Sequence, residues 1–264
     1  FIFNYSINKK RIVIAGSHGK TTITSMILHV LNENGIELDY LVGAKIDSLD
    51  NLVKLENNDT IIIEGDEYFS SPIDKNPKFL HYKPDILVVS GVSWDHINVF
   101  PTLESYKQAF KNVLNIVMEK GGKIFYCGSD HFLSKFLLKS TSNIKAYFLP
   151  DYIVEKDKFV LVTQSKKIPL TIFGKHNLYN IEAAKLVCLE LGVSEENFYS
   201  SIKKFSGASK RLSLVKNISN HSCVYYDFAH SPSKVLATVN AVRELYPNRH
   251  LISCLELHTF SSLT

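Results

Sequence analysis

The feature that most constrains this chain is a set of apolar runs that do not alternate. Residues 11–15 read RIVIA, 60–67 TIIIEGDE, 85–96 DILVVSGVSWDH and 123–127 KIFYC. A strand with one wet face alternates polar and apolar residues, whereas a strand covered on both faces reads as an unbroken apolar run. Between these runs lie segments of helical spacing. Ile23, Met26, Ile27, Val30 and Leu31 mark one over 21–34, with Gly35 as its stop signal. Leu103, Tyr106, Phe110, Val113, Leu114 and Val117 mark another over 102–119, with Thr102 as N-cap. Buried strands alternating with helices predict an α/β fold whose sheet is mostly parallel and covered on both sides.

The texture changes from about 145 to 173. AYFLP, YIVEKDKFVLVT and KIPLTIFG are short β-branched or aromatic runs with polar breaks, which predict a small antiparallel addition. A helix follows over 177–191, ending before Gly192. KFSGASKRLSLV, residues 204–215, reads as a connector, and a second α/β unit begins after it. SCVYYDFAH is its strand and SPSKVLATVNAVRELYP its helix, with Ser231 as N-cap and Pro232 in the first turn. HLISCLELH is the next strand. The expected division is a first domain over 1–210 and the start of a Rossmann-like one over 211–264, with the hinge near Ser209.

Composition narrows the classes of function. At 264 residues and 45% hydrophobic, the chain can fill one large core or two smaller ones. A net charge of +4, scattered along the chain, does not argue for nucleic acid. No apolar run approaches the ~20 residues of a membrane span. Cys127, Cys188, Cys223 and Cys254 form no C-x-x-C pair and sit beside apolar runs, which predicts buried reduced thiols and a cytoplasmic setting. The opening FIFNYSINKK lacks an initiator methionine and reads as the inside of something longer, so a fragment of a larger enzyme is expected.

The chemistry-bearing residues fall at strand ends. GSHGKTT, Gly16–Thr22, stands between the first strand and its helix. A helix start presents free N–H groups and partial positive charge, glycines admit a close anion, Lys20 reaches terminal phosphates and Thr21 offers a hydroxyl to Mg²⁺. The loop is two residues shorter than G-x-x-x-x-G-K-[ST]. IIIEGDEY delivers Glu64, Asp66 and Glu67 to the sheet edge where α/β ligands sit. Glu64 is the better magnesium ligand, while Asp66 and Glu67 equally suit a solvated acidic turn. SWDH places Asp95 and His96 at a third strand end, and FGKHNLYN puts His176 and Asn177 before a helix, where Asn177 would cap it. YYDFAHSP carries Asp227 and His230, and Arg211 sits in the connector.

In this order, GSHGKTT, EGDEY, SWDHINVFPT, GKHNLYNIEAA, FSGASKRL, YYDFAHSPSKV and ELHTFSS resemble the Mur ligase family, the ATP-dependent amide ligases of peptidoglycan assembly. The first five motifs resemble the family's central P-loop-type ATPase domain and the last two the opening of its C-terminal domain. The N-terminal UDP-binding domain is expected to be absent and the C-terminal one cut short, leaving an isolated fragment inactive.

The resemblance implies ATP and Mg²⁺ as cofactors. It implies Gly16, Ser17, His18, Gly19, Lys20, Thr21 and Thr22 around the phosphates, and Thr21, Glu64 and His96 on magnesium. Lys20, Glu64 and His96 are the implied catalytic set. His176 and Asn177 would border the nucleotide, Arg211 approach the γ-phosphate, Asp227 hold the ribose, His230 meet the nucleotide or acceptor, and His258 face the cleft. Phe110 occupies the place where other members carry a carbamylated lysine, so none is carried over.

The nearest branches use UDP-N-acetylmuramate as acceptor. One adds L-alanine, the other the tripeptide L-alanyl-γ-D-glutamyl-meso-diaminopimelate. The long path SSPIDKNPKFLHYKPDIL, residues 70–87, resembles the tripeptide branch. A non-ligase alternative is a switch module that uses ATP only to change shape.

Overall fold

In the computed structural model the described residues are 1–43, 51–94, 99–138, 142–208, 211–219 and 222–256. The apolar runs become neighbouring strands. Those of the main sheet are β1 (Lys10–Ala15), β2 (Asp39–Leu41), β3 (Val53–Lys54), β4 (Thr60–Glu64), β5 (Ile86–Val89), β6 (Lys123–Cys127) and β7 (Ile144–Tyr147). Their order is β3-β2-β4-β1-β5-β6-β7, and every pairing is parallel except β3 on β2. Ile12 and Ile14 face one core and Val13 and Ala15 the other, all fully buried. Successive side chains leave a strand on opposite sides, so covering both faces removes the alternation.

Helices cover the two faces. On one lie α2 (Lys20–Glu33), α6 (Lys175–Glu190) and α7 (Glu195–Ile202), packed on one another. On the other lie the short α3 (Lys78–Tyr82) and the long α4 (Leu103–Glu119). The remaining short helices are α1 (Ile2–Tyr5) and α5 (His131–Phe136). Helix α2 is buried nearly all round, and its internal hydroxyls are satisfied within the helix: Thr24 Oγ1 donates to the Lys20 carbonyl at 2.9 Å and Ser25 Oγ to that of Thr21 at 2.6 Å.

Helix α4 begins where its cap is expected. Thr102 Oγ1 accepts from the Ser105 N–H at 3.1 Å, and a capping box closes the turn. Phe110 is fully buried between Phe79 and Tyr106, as a core aromatic. Thr102→Ala is expected to remove about 1 kcal/mol of stability. A thermal midpoint lowered by about 2–4 °C would register it.

The antiparallel addition is present as β8 (Tyr152–Glu155), β9 (Lys158–Val162) and β10 (Lys167–Pro169). AYFLP does not join it. Ile144–Tyr147 instead lies parallel to β6 as the edge of the main sheet, Tyr126 opposite Ala146. A short run with one buried residue, Tyr147, cannot announce which sheet will accept it.

After the connector, β11 (Ser213–Ser219) pairs with β12 (Ser222–Tyr226), followed by α8 (Pro232–Leu245). The expected connector therefore ends three residues earlier, because β11 is an exposed, bulged ribbon strand with no apolar face to betray it. Ser231 occupies the N-cap of α8, but its hydroxyl makes no capping bond and is buried without a partner among the described residues. Residues 250–256, expected as a strand, pair with neither β11 nor β12. Cys127 and Cys188 are buried, as expected, and burial raises both thiols. Cys223 is half-buried and Cys254 exposed, so the expectation of burial fails for these two.

Candidate nucleotide-binding site

The register brings the motifs together. Ile14 of β1 lies opposite Glu64 of β4, and Ala15 opposite Val89 of β5. The Gly16–Thr22 loop therefore leaves the sheet between Glu64 and Ser90, at the carboxyl ends of three strands, where α/β folds take ligands. Two glycines make the loop possible. Gly16 sits at φ +124°, and a Cβ there would fall 2.2 Å from Ser90 Oγ. Gly19, the N-cap of α2, sits at φ +83°, with Asn180 Oδ1 2.4 Å from where its Cβ would be. Neither position has room for a side chain.

The loop's side chains are held individually. Ser17 Oγ lies 2.9 Å from the Tyr106 hydroxyl and accepts from the Ser93 N–H at 2.8 Å. The Ser90 hydroxyl donates to the His18 carbonyl. The His18 Nδ1 lies 2.7 Å from the Ser17 carbonyl, which can only accept, so Nδ1 carries the proton; Nε2 lies 2.8 Å from Ser233 Oγ in the first turn of α8. Lys20 Nζ donates to the Gly16 carbonyl at 2.8 Å and to Glu67 Oε2 at 2.7 Å. Thr21 Oγ1 donates to Glu64 Oε1 at 2.8 Å, and the Gly43 N–H donates to Glu64 Oε2 at 2.9 Å.

Beside this loop opens a cleft of about 660 Å³. Ser17 through Thr22 and Glu64 line one side. His176 and Asn177, from the start of α6, line another, with Arg211, Asp227 and His230 from the second unit opposite. Residues spread from 17 to 230 in the sequence thus share one space. Gly16 does not line it; it shapes the turn from behind.

Helix α6 starts at Gly174, φ +92°, so Asn177 is not its cap. Asn177 lies inside the first turn and donates from Nδ2 to the Phe173 carbonyl at 2.9 Å. Burial pushes the His176 imidazole below its usual range, and the nearby charge of Asp227 opposes that shift. Asp227 is engaged by its own unit: Oδ1 accepts from the Leu212 N–H at 3.0 Å and Oδ2 from the Thr238 hydroxyl. Each carboxylate oxygen keeps a second acceptor position for a ribose hydroxyl. His230 Nδ1 lies 2.9 Å from the Phe228 carbonyl, and the Arg211 guanidinium lies 5.4 Å from the Phe228 ring. Asp95, His96, Ser209 and His258 lie outside the described residues.

The acidic turn divides. Asp66 is half-exposed and pairs with Lys78 at 2.7 Å, as a solvated acid should. Glu67 is fully buried beneath Lys20, which excludes the solvated-turn alternative for it. Asn180, which lines the cleft beside Gly19, is another neighbour the sequence does not mark. Both act through partners far along the chain, so no local pattern carries the signal. Lys78, Tyr68 and Tyr82 extend the cleft past Asp66.

Among the described residues no group of three or more His, Cys, Asp or Glu converges on a metal position. Thr21 Oγ1 and the Glu64 carboxylate nonetheless form a hard-oxygen pair at the loop end of the cleft. That donor set suits magnesium, which takes one or two carboxylates and fills the rest of its shell with water and phosphate oxygens. No helix among the described residues is long and apolar enough to cross a membrane.

A parallel sheet with a glycine loop, a lysine and a threonine at a helix start defines an α/β phosphate-loop fold. The Mur ligase middle domain family matches residues 14–188. The UDP-N-acetylmuramate–L-alanine ligase of Aquifex aeolicus is 31% identical, the alignment covering 96% of this chain and 57% of that protein. The UDP-N-acetylmuramate–L-alanyl-γ-D-glutamyl-meso-2,6-diaminoheptandioate ligase of Haemophilus influenzae is 29% identical, over 88% of this chain and 53% of that protein. The crystal structure of UDP-N-acetylmuramate–alanine ligase from Thermotoga maritima shares the fold with a TM-score of 0.72 at 20% identity, over 91% of this chain and 55% of that one. The chain belongs to the Mur ligase family. It spans about half the length of the curated relatives it matches.

Proposed function

We propose that the protein carrying this chain joins an amine to UDP-N-acetylmuramate at the expense of ATP. The observation that carries the proposal is the placing of Lys20 and Thr21 at the start of α2, with Glu64 2.8 Å from Thr21, on a cleft large enough for a nucleotide. Lys20 and the free N–H groups of α2 would hold the terminal phosphates. Thr21 and Glu64, with His96, would hold magnesium. His176 and Asn177 would flank the nucleotide, Asp227 take its ribose, Arg211 approach the γ-phosphate, and His230 and His258 meet the nucleotide or acceptor. The chain would divide near residue 210, so that the site closes as the two units approach.

The reaction has two steps. The lactyl carboxylate of the acceptor attacks the γ-phosphorus and ADP leaves, giving an acyl phosphate. The amine then attacks the acyl carbon and inorganic phosphate leaves. A carboxylate is a poor acylating agent at neutral pH, so activation has to come first. Lys20, with Arg211, offsets the repulsion between carboxylate and triphosphate and keeps attacking and leaving oxygens in line. Magnesium, when bound, adds charge neutralisation at the same phosphates.

For the amine, the 70–87 segment supports the tripeptide L-alanyl-γ-D-glutamyl-meso-diaminopimelate. It folds as a closed excursion ending in α3, with Phe69 bridged to Pro77, and sends Lys78 and Tyr82 to the cleft. The second reading is L-alanine, favoured by the names of several relatives. Phosphate release by the full-length protein decides between them. With ATP, magnesium and UDP-N-acetylmuramate, release should follow the tripeptide and not L-alanine; the reverse establishes the second reading. ATP binding with no acceptor dependence would leave only a nucleotide switch. Glu64→Ala is expected to raise half-saturating magnesium about tenfold. An unchanged metal titration would remove Glu64 from the site.

A further inference from the structure

We propose that Glu67 is a positioning residue that aims the Lys20 ammonium at the terminal phosphate. The proposal deepens, and rests on, the reading of the Gly16–Thr22 loop as the triphosphate site. Glu67 is fully buried and does not line the cleft, whereas Lys20 does. Lys20 therefore lies between a hidden anion and the open space a nucleotide would fill. An ammonium has three N–H donors. The Gly16 carbonyl takes one at 2.8 Å and Glu67 Oε2 another at 2.7 Å, which leaves the third for a ligand. Without the carboxylate, only the Gly16 carbonyl would restrain a side chain with four rotatable bonds, and fixing it would be charged to binding.

Glu67 is itself located by the fold. The Tyr106 hydroxyl donates to Glu67 Oε1 at 3.5 Å and lies 2.9 Å from Ser17 Oγ. Tyr106 is fully buried on α4 and packs edge-on against Phe100 and Phe110. One phenol thus ties the first half of the loop, through Ser17, to the carboxylate that holds its lysine. The core behind the sheet sets where the charge of Lys20 sits.

The test compares ATP and ADP affinities by calorimetry on the full-length protein without acceptor, since only ATP has the terminal phosphate. Glu67→Gln keeps the shape and removes the charge. It is expected to lower the ATP-to-ADP affinity ratio about tenfold while ADP binding changes little. Tyr106→Phe removes only a hydroxyl and guards against a fold defect in the first variant. It should shift the ratio the same way by less, and the double variant should go no further than Glu67→Gln alone. A ratio within twofold of wild type in Glu67→Gln overturns the proposal. So does tighter ATP binding, which would make Glu67 a competitor for Lys20. A wild-type protein that does not prefer ATP to ADP overturns the loop reading together with the proposal, an outcome distinct from the other two.

Discussion

Lys20→Met is expected to do two things at once: reduce ATP-dependent turnover by about 10²–10³-fold and destabilise the fold by roughly 3–5 kcal/mol. The first effect follows from removing the cation proposed to face the phosphates. The second follows from Glu67. Its side chain is 0% exposed, and its ion pair with Lys20, itself 15% exposed, offsets the cost of burying a carboxylate. In the sequence Lys20 reads as a phosphate-loop residue only, since nothing there ties Glu67 to it. The structure makes it a stability variant too. The double variant Lys20→Met/Glu67→Gln separates the effects. Removing both charges should return stability to within about 1 kcal/mol of wild type while activity stays lost. Chemical denaturation of the three proteins reads this directly. Equal stability of the single variant and wild type would show that Glu67 does not depend on Lys20 for its burial.

That contrast marks where sequence reasoning stops. The parallel sheet was legible because β1, β4, β5 and β6 are buried on both faces, and two-sided burial erases alternation in a way few other settings do. The turn between β1 and α2 was legible because its signals are local: Gly16, Gly19, Lys20 and Thr21 fall within six residues. Thr102 announced α4 for the same reason, its cap bond reaching only to Ser105. Strand β11 was not legible, since an exposed ribbon is defined by its partner alone. Neither was the fate of the acids after β4. Asp66 and Glu67 are adjacent and of one kind, yet one pairs with Lys78 at the surface and the other is sealed under Lys20. The partners of Glu67, Lys20 and Tyr106, lie 47 and 39 positions away, beyond any local pattern.

Gly16→Ala is expected to be the most damaging single methyl in the loop, and Gly35→Ala supplies its scale. Both glycines have positive φ, +124° and +68°. At Gly35, after α2, an added Cβ meets nothing within 4 Å. That substitution should cost only the roughly 1–2 kcal/mol of a left-handed L residue. Gly16 is different in kind. Its φ lies beyond the left-handed well, in territory only glycine populates, and its Cβ would stand 2.2 Å from Ser90 Oγ and 2.8 Å from Ser90 N. The serine cannot retreat. Its N–H donates to the Ala15 carbonyl at 3.0 Å, at the end of the β1–β5 ladder, and its hydroxyl holds the His18 carbonyl. Backbone strain and overpacking together come to roughly 2–6 kcal/mol. Relief would turn the loop away from the start of α2, so ATP affinity should fall more than tenfold in whatever fraction still folds. Adding Ser90→Ala removes the hydroxyl clash but not the 2.8 Å backbone contact, so the pair should recover only part of the loss. If Gly16→Ala proved no more destabilising than Gly35→Ala, the tight approach of this loop to β5 would not be what shapes the phosphate site.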